Sequence, residues 1–221
     1  MNTHVMRGLL LAATAGGLWA AGTAVAGAAD TTGDQGVGSG SQAVVDVQLP
    51  VTVAGTAIGG GDASTSGAAT SQQTATPSAS VDTTSGLDGV LSGTQALISV
   101  DVPVTVTGNA VSVLGDAEST GSTTEVAAPA AAPAAGTTSG EEGVASGTQA
   151  PVSASVPVTV AGNAVSVLGD ATSTDAATTT TAGDGSHGAG AGETSGSDGV
   201  LSGTQAPADV AAPVTAGGNA V

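Results

Sequence analysis

Gly36, Gly89, Gly143 and Gly199 each open a copy of one motif, and the openings lie 53, 54 and 56 residues apart. Gly89–Leu114 reads GVLSGTQALISVDVPVTVTGNAVSVL, and Gly143–Leu168 reads GVASGTQAPVSASVPVTVAGNAVSVL. A chain that repeats itself at a fixed period is built from one unit used several times. The copies span 36–62, 89–116, 143–170 and 199–221, the first looser and the last stopping near its turn. Between them lie tracts at 63–88, 117–142 and 171–198, made of Thr, Ser, Ala, Gly and Pro with scattered acids.

Those tracts carry little apolar surface to offset the entropy of ordering, so they are expected to be coil-like linkers. The whole chain lacks Phe, Tyr and Cys and has one Trp, Trp19. Without large side chains an ordinary globular core is not expected. The expected fold class is a mostly disordered, low-complexity chain, all-β where ordered, with short antiparallel β-hairpin repeats and an N-terminal signal-peptide helix.

Inside each copy the period is two. Ile98, Val100, Val102, Val104 and Val106 alternate with Ser99, Asp101, Pro103 and Thr105. Val152, Ala154, Val156, Val158 and Val160 do the same in the third copy, and Val45, Val47, Leu49, Val51 and Val53 in the first. Such alternation marks half-buried strands, near 98–106 and 152–160. Gly108-Asn109 and Gly162-Asn163 then supply two-residue hairpin turns, followed by short strands at 111–114 and 165–168. With that turn, Val104 faces Val113 and Val106 faces Val111, and cross-strand partners share a face. The predicted apolar, self-association face is Val102, Val104, Val106, Val111 and Val113, with Val156, Val158, Val160, Val165 and Val167 repeating it. The Pro at 50, 103, 157 and 213 falls on the polar face, removes one ladder donor and marks an edge. Gly59–Gly61 weakens the first copy's second strand, and Ala211, Ala212 and Ala216 weaken the fourth copy.

Charge sets the partners. There are 18 Asp and Glu against one Lys or Arg, a net charge of −17. The basic residue is Arg7, followed by an apolar stretch from Gly8 to Ala21 and the small-residue pattern Ala24-Val25-Ala26. Residues 1–26 thus read as a secretory signal peptide, with cleavage after Ala26 or Ala28. The mature chain then has no basic side chain, which argues against nucleic acid and anionic membrane surfaces as partners. No second apolar run follows, so no membrane span is expected after cleavage.

The residues for catalysis are missing. His4 lies in the leader and His187 in a Gly-rich tract, leaving the many Ser without a base. Glu141-Glu142 are adjacent rather than opposed. Gly59-Gly60-Gly61-Asp62 is a fragment of a glycine-rich calcium repeat without the repetition. No enzyme activity, cofactor or metal site is expected.

Gly89–Ala96 and Val102–Leu114 resemble the chaplin domain of filamentous actinobacteria, with the Gly-Asn turn and following Val positions at Gly108, Asn109, Val111, Val113 and Gly115, and again at Gly162, Asn163, Val165, Val167 and Gly169. The chain departs from that pattern at Thr107 and Ala161, where the family carries Cys, and at Asp116-Ala117 and Asp170-Ala171, where its tail would follow. The resemblance implies a secreted cell-wall or cell-surface protein that self-associates into a surface-active, amyloid-like layer supporting aerial growth or attachment. Its implied partners are itself, other chaplin-like proteins and cell-wall polymer. The competing expectation is a non-assembling spacer or adhesin with glycosylated linkers.

Overall fold

The computed structural model describes residues 18–25, 30–72, 83–126, 136–180 and 192–221. A lone strand β1 (Leu18–Val25) precedes the first repeat. The first rung runs through β2 (Thr31–Thr32), β3 (Gln42–Ala54), β4 (Ala57–Gly59), β5 (Ala63–Ser66) and β6 (Ala69–Gln72). The second holds β7 (Thr83–Ser85), β8 (Gln95–Asp101), β9 (Val104–Thr107), β10 (Ala110–Leu114), β11 (Ala117–Thr120) and β12 (Thr123–Val126). The third repeats this with β13 (Thr137–Ser139), β14 (Gln149–Ser155), β15 (Val158–Ala161), β16 (Ala164–Leu168), β17 (Ala171–Thr174) and β18 (Ala177–Thr180). The fourth supplies β19 (Thr194–Ser195), β20 (Ala208–Ala211) and β21 (Val214–Gly217).

Every strand from β2 onward pairs in parallel with its equivalent in the next rung. Thus Val104 lies beside Val158 and Val158 beside Val214, and Asn-flanked Ala110 lies beside Ala164. One large sheet runs β20-β14-β8-β3-β9-β15-β21, with β3 long enough to pair with both β8 and β9. Four smaller sheets collect β4, β10 and β16; β5, β11 and β17; β6, β12 and β18; and β2, β7, β13 and β19. The molecule is a β-solenoid in which each rung lays down the same strands on the rung before.

This overturns the expected fold class. The described chain is largely ordered strand, not mostly disordered, and no antiparallel hairpin joins β9 to β10. Gly108 has φ +61° while Asn109 is not in the positive-φ region. The turn is a corner that sends the chain from one sheet into another. A hairpin would give β10 one short partner, whereas stacking pairs β10 on both sides, with β4 and β16. The tracts expected to be coil carry β5, β6, β11, β12, β17 and β18, because their own alternation buries Thr65, Ser119 and Thr124. The signal-peptide helix is corrected as well: Leu18–Val25 is extended and pairs antiparallel with Val53–Asp46 of β3, while residues 1–17 lie outside the described residues. No helix among the described residues is long and apolar enough to cross a membrane.

The strands expected at 98–106 and 152–160 are each two strands, Gln95–Asp101 with Val104–Thr107 and Gln149–Ser155 with Val158–Ala161, and the alternation faces the other way. Thr105, Thr107, Ser112, Ser119 and Thr124 are fully buried. Ile98 and Val152 keep 40% and 37% of their surface exposed, and Val167 and Leu168 keep more than 60%. The interior is filled mainly by Ala, Ser, Thr, Gln and Asn, with Val44, Leu97 and Val126 also buried and Ala110, Ala117 and Ala164 as an apolar cluster. Small side chains suit closely spaced sheets, and hydroxyls find carbonyls there: Ser119 Oγ donates to Gly108 O at 2.6 Å. Pro103 and Pro157 do not mark a sheet edge. They sit inside the largest sheet, buried, at the breaks between β8 and β9 and between β14 and β15.

Candidate self-association surface

The surface is held in place by a set of bonds repeated rung after rung. In the arch before each long strand, Thr84 Oγ1 donates to Gly93 O, Thr138 Oγ1 to Gly147 O and Thr194 Oγ1 to Gly203 O, at 2.7 to 2.9 Å. The arch requires glycine at position 93. Gly93 has φ +64°, and a Cβ there would stand 2.7 Å from Gly86 N. Ser146 Oγ donates to Gly89 O in the rung before, and Ser202 Oγ to Gly143 O. The Ser-Gly-Thr-Gln stretch thus closes each arch and ties it to its neighbour.

Amide ladders run along the stack. Asn163 Nδ2 donates to Asn109 Oδ1 and Asn219 Nδ2 to Asn163 Oδ1, both at 2.8 Å. Backbone N–H groups of Asn163 and Asn219 donate to the same oxygens. Gln149 and Gln205 form a longer ladder to Gln95 and Gln149, at 3.4 Å. Such ladders require identical residues in register and are typical of stacked parallel strands.

The outward face is apolar. Its columns are Val45–Ile98–Val152, Val47–Val100–Ala154–Val210, Val51–Val104–Val158–Val214 and Val53–Val106–Val160–Ala216. Of the predicted face, Val104 and Val106 meet Val158 and Val160 directly, and Val111 meets Val165. Val102 and Val156 lie half-buried beside the proline breaks. Val113 is 50% exposed and belongs to a different sheet from Val104, so those two do not form one cross-strand pair. The predicted turn residues Gly108, Asn109, Gly162 and Asn163 form the corner ladder. Val45, Val214, Leu114 and Leu168 were not in the predicted set. The alternation in the first and fourth copies was the signal for the two valines.

Two acids sit inside the largest sheet. Asp46 is fully buried and Asp101 nearly so. Asp46 Oδ1, Gln48 Oε1 and Asp101 Oδ1 have no hydrogen-bond partner among the described residues. Burial first, and the Asp46 carboxylate second, push the Asp101 carboxyl from its ordinary 3.8 to about 6. The described residues include no group of three or more His, Asp or Glu placed to hold a metal ion. His4 and His187 lie outside the described residues.

At the far end, no described strand pairs with the outer edge of β20 or β21. Their residues are all exposed. An open edge of parallel strands is a row of unpaired N–H and C=O groups.

No curated protein matches the chain. No solved structure matches it either. The family model described as ChpA-C matches residues 60–124 and 125–182, more than half of the chain. Each matched stretch contains one of the two well-formed copies. That match corrects the chaplin resemblance read from Gly89–Ala96 and Val102–Leu114: the chain belongs to the ChpA-C family.

Proposed function

We propose that this is an exported, non-catalytic structural protein of the cell surface that self-associates and coats apolar interfaces. The observation that carries the reading is the outward Val face of the largest sheet. Val45, Ile98 and Val152 are between 37% and 41% exposed and lie side by side in one column of that sheet. A water-facing sheet normally turns its polar residues outward and its valines inward. Here the Thr and Ser are inside, so the apolar stripe is left for something outside the fold. Contiguous exposed apolar surface marks an interaction site, and an air–water, wax or wall-polymer boundary would remove these valines from water without a shaped partner.

Self-association is supported by the repeat itself, since the rungs already pair with copies of themselves. Export is supported by the leader-like residues 1–26 and by the acidic composition, which is without Lys or Arg after that leader. Measuring surface tension and thioflavin fluorescence of the purified chain at neutral and acid pH tests the reading. Lowered surface tension with dye-positive assemblies is expected. A chain that stays monomeric, surface-inactive and dye-negative at both would favour a spacer or adhesin instead. For that second reading the outward Thr172, Thr174 and Thr179 supply exposed hydroxyls for glycosylation.

A further inference from the structure

We propose that β1 is a removable cap on the first rung, and that the partner it excludes is the fourth rung of a second copy, seated on β3 in the register that joins rungs within the chain. The inference rests on the self-association reading and specifies its geometry. β3 has two edges. One pairs in parallel with β8 and β9. The other is occupied from Asp46 to Val53 by β1, which runs antiparallel. Every other contact between rungs is parallel, so β1 is the single described strand that breaks the stacking rule. It lies wholly within residues 1–26, the segment that reads as a signal peptide. Cleavage after Ala26 or Ala28 removes it entirely and leaves β3 with a bare edge.

The occupant follows from the columns. Val45, Ile98, Val152 and Ala208 share one, and Val51, Val104, Val158 and Val214 share another. Continuing the same register places Val210 of one copy beside Val47 of the next, and Val214 beside Val51. The face so extended is the outward Val stripe, which becomes continuous from copy to copy. The contact is head-to-tail and does not close on itself, so it propagates.

The junction has a built-in brake. The Asp46 column reads Asp46, Ser99, Ser153, Asp209, so stacking sets Asp209 of one copy against Asp46 of the next, about one strand spacing of ~4.8 Å away. The Asp30 column ends at Glu193, adding a second acid pair. Asp101 on β8 also stands beside Asp46, β14 offers only Ser153 and Ser155 there, and β1 carries no titratable side chain. The described residues contain no Lys, Arg or His to neutralise these carboxylates. Acid therefore promotes the junction.

The chain has no cysteine, which makes cross-linking clean. Full-length V47C is mixed with full-length V210C carrying a mass tag, with and without Ala20→Pro plus Ala21→Pro in the V47C chain. Adjacent prolines remove a β1 ladder donor whichever of the two N–H groups faces β3. In the proposed register the two cysteines lie about 4.8 Å apart, within disulfide reach. The proline pair is expected to raise the V47C–V210C dimer about tenfold by weakening the cap's ladder. Sedimentation of that variant should shift to larger species at pH ~4 relative to pH ~7.5, as the carboxylates protonate. Equal cross-linking with and without the prolines overturns the cap. Association without the V47C–V210C product overturns the head-to-tail register while leaving self-association standing. Absence of any association overturns the self-association reading itself.

Discussion

Replacing Asp101 with Asn should stabilise this protein at neutral pH and remove most of its pH dependence in the mildly acidic range. Asp101 is 8% exposed, its Oδ1 has no partner, and its register neighbour Gln48 has an unpartnered Oε1. Ionised, Asp101 offers Gln48 only another acceptor beside the Asp46 carboxylate. Burial and Asp46 together hold its pKa near 6 against an ordinary 3.8. A carboxyl with a raised folded-state pKa binds its proton more tightly in the folded chain. Stability is therefore greatest below about 3.8, falls as pH rises towards about 6, and is flat above that. At ~1.4 kcal/mol per pH unit the loss has a ceiling of roughly 3 kcal/mol, and solvent screening brings it to ~1–2 kcal/mol. Asn keeps the shape, drops the charge and gives Gln48 Oε1 a donor. D101N should gain ~1–2 kcal/mol at pH ~7.5 and little at pH ~3.5 in urea unfolding. Lower stability of D101N at neutral pH, or an undiminished pH slope between ~4 and ~6, would refute the reasoning.

Three further outcomes follow from the ladders, the arch and the outward face. Asn163→Ala breaks bonds to Asn109 and Asn219 and should cost ~2 kcal/mol, whereas Asn219→Ala at the open end should cost under ~1 kcal/mol; urea midpoints compare them. Gly93→Ala drives a Cβ to 2.7 Å from Gly86 N at φ +64°, whereas Gly121→Ala at the same φ has no heavy atom nearer than 3.8 Å. Gly121→Ala should therefore cost only the ~1–2 kcal/mol of left-handed backbone, and Gly93→Ala distinctly more, read as a larger fall in melting temperature. Val104→Asp with Val158→Asp places charge on two paired outward positions. Circular dichroism should stay β-rich while surface activity is lost, and unchanged surface activity would show that this face is not the coating surface.

The repeat and the presence of strands were legible in the sequence, and the turn expected at Gly108-Asn109 is a corner rather than a hairpin. The sequence's period of two located Val111–Leu114 closely and missed the break at Val102-Pro103 inside 98–106, and Gly108-Asn109 did mark a change of direction. It did not say which face would be inside. Burying Val and exposing Thr is the default, because burial of a methyl-rich side chain stabilises and burial of a hydroxyl costs unless it is bonded. Here part of that cost is met by bonds: Thr84 reaches Gly93 O at 2.9 Å and Ser112 reaches Gly61 O at 2.7 Å, while the hydroxyls of Thr65, Thr124 and Thr159 are buried without a partner among the described residues. Those acceptors come from arches and neighbouring rungs, which no local pattern reveals. The strand partner was hidden for a related reason. A hairpin is a local solution visible within about 15 residues, while the stack pairs residues more than 50 positions apart. The near-identity of the copies was the available clue, and it carried more weight than the turn. The buried Asp101 was legible only as a polar position in the alternation.

In-register stacking of an acidic chain puts like charges above one another, and the described residues contain no Lys, Arg or His to offset that. The structure answers with backbone donors. Asp62 Oδ1 accepts the N–H of Asp116, and Asp116 Oδ1 accepts the N–H of Asp170, at 3.1 and 2.9 Å. Asp34 Oδ1 accepts from Ser85 Oγ and Leu87 N, and Glu141 Oε1 from Ser195 Oγ. Each of these carboxylates is therefore tied to the rung that follows it, and charge-assisted bonds of this kind are stronger than neutral ones. The same repeat that stacks the charges also lines up the donors that hold them. Asp46 and Asp101 lack this provision, since Oδ1 of each is unpartnered. Repulsion is thus met locally along the exposed acid columns and left unmet at the buried pair next to β1. That places the acid-sensitive point of the stack at its first rung, beside the edge where a second copy would add.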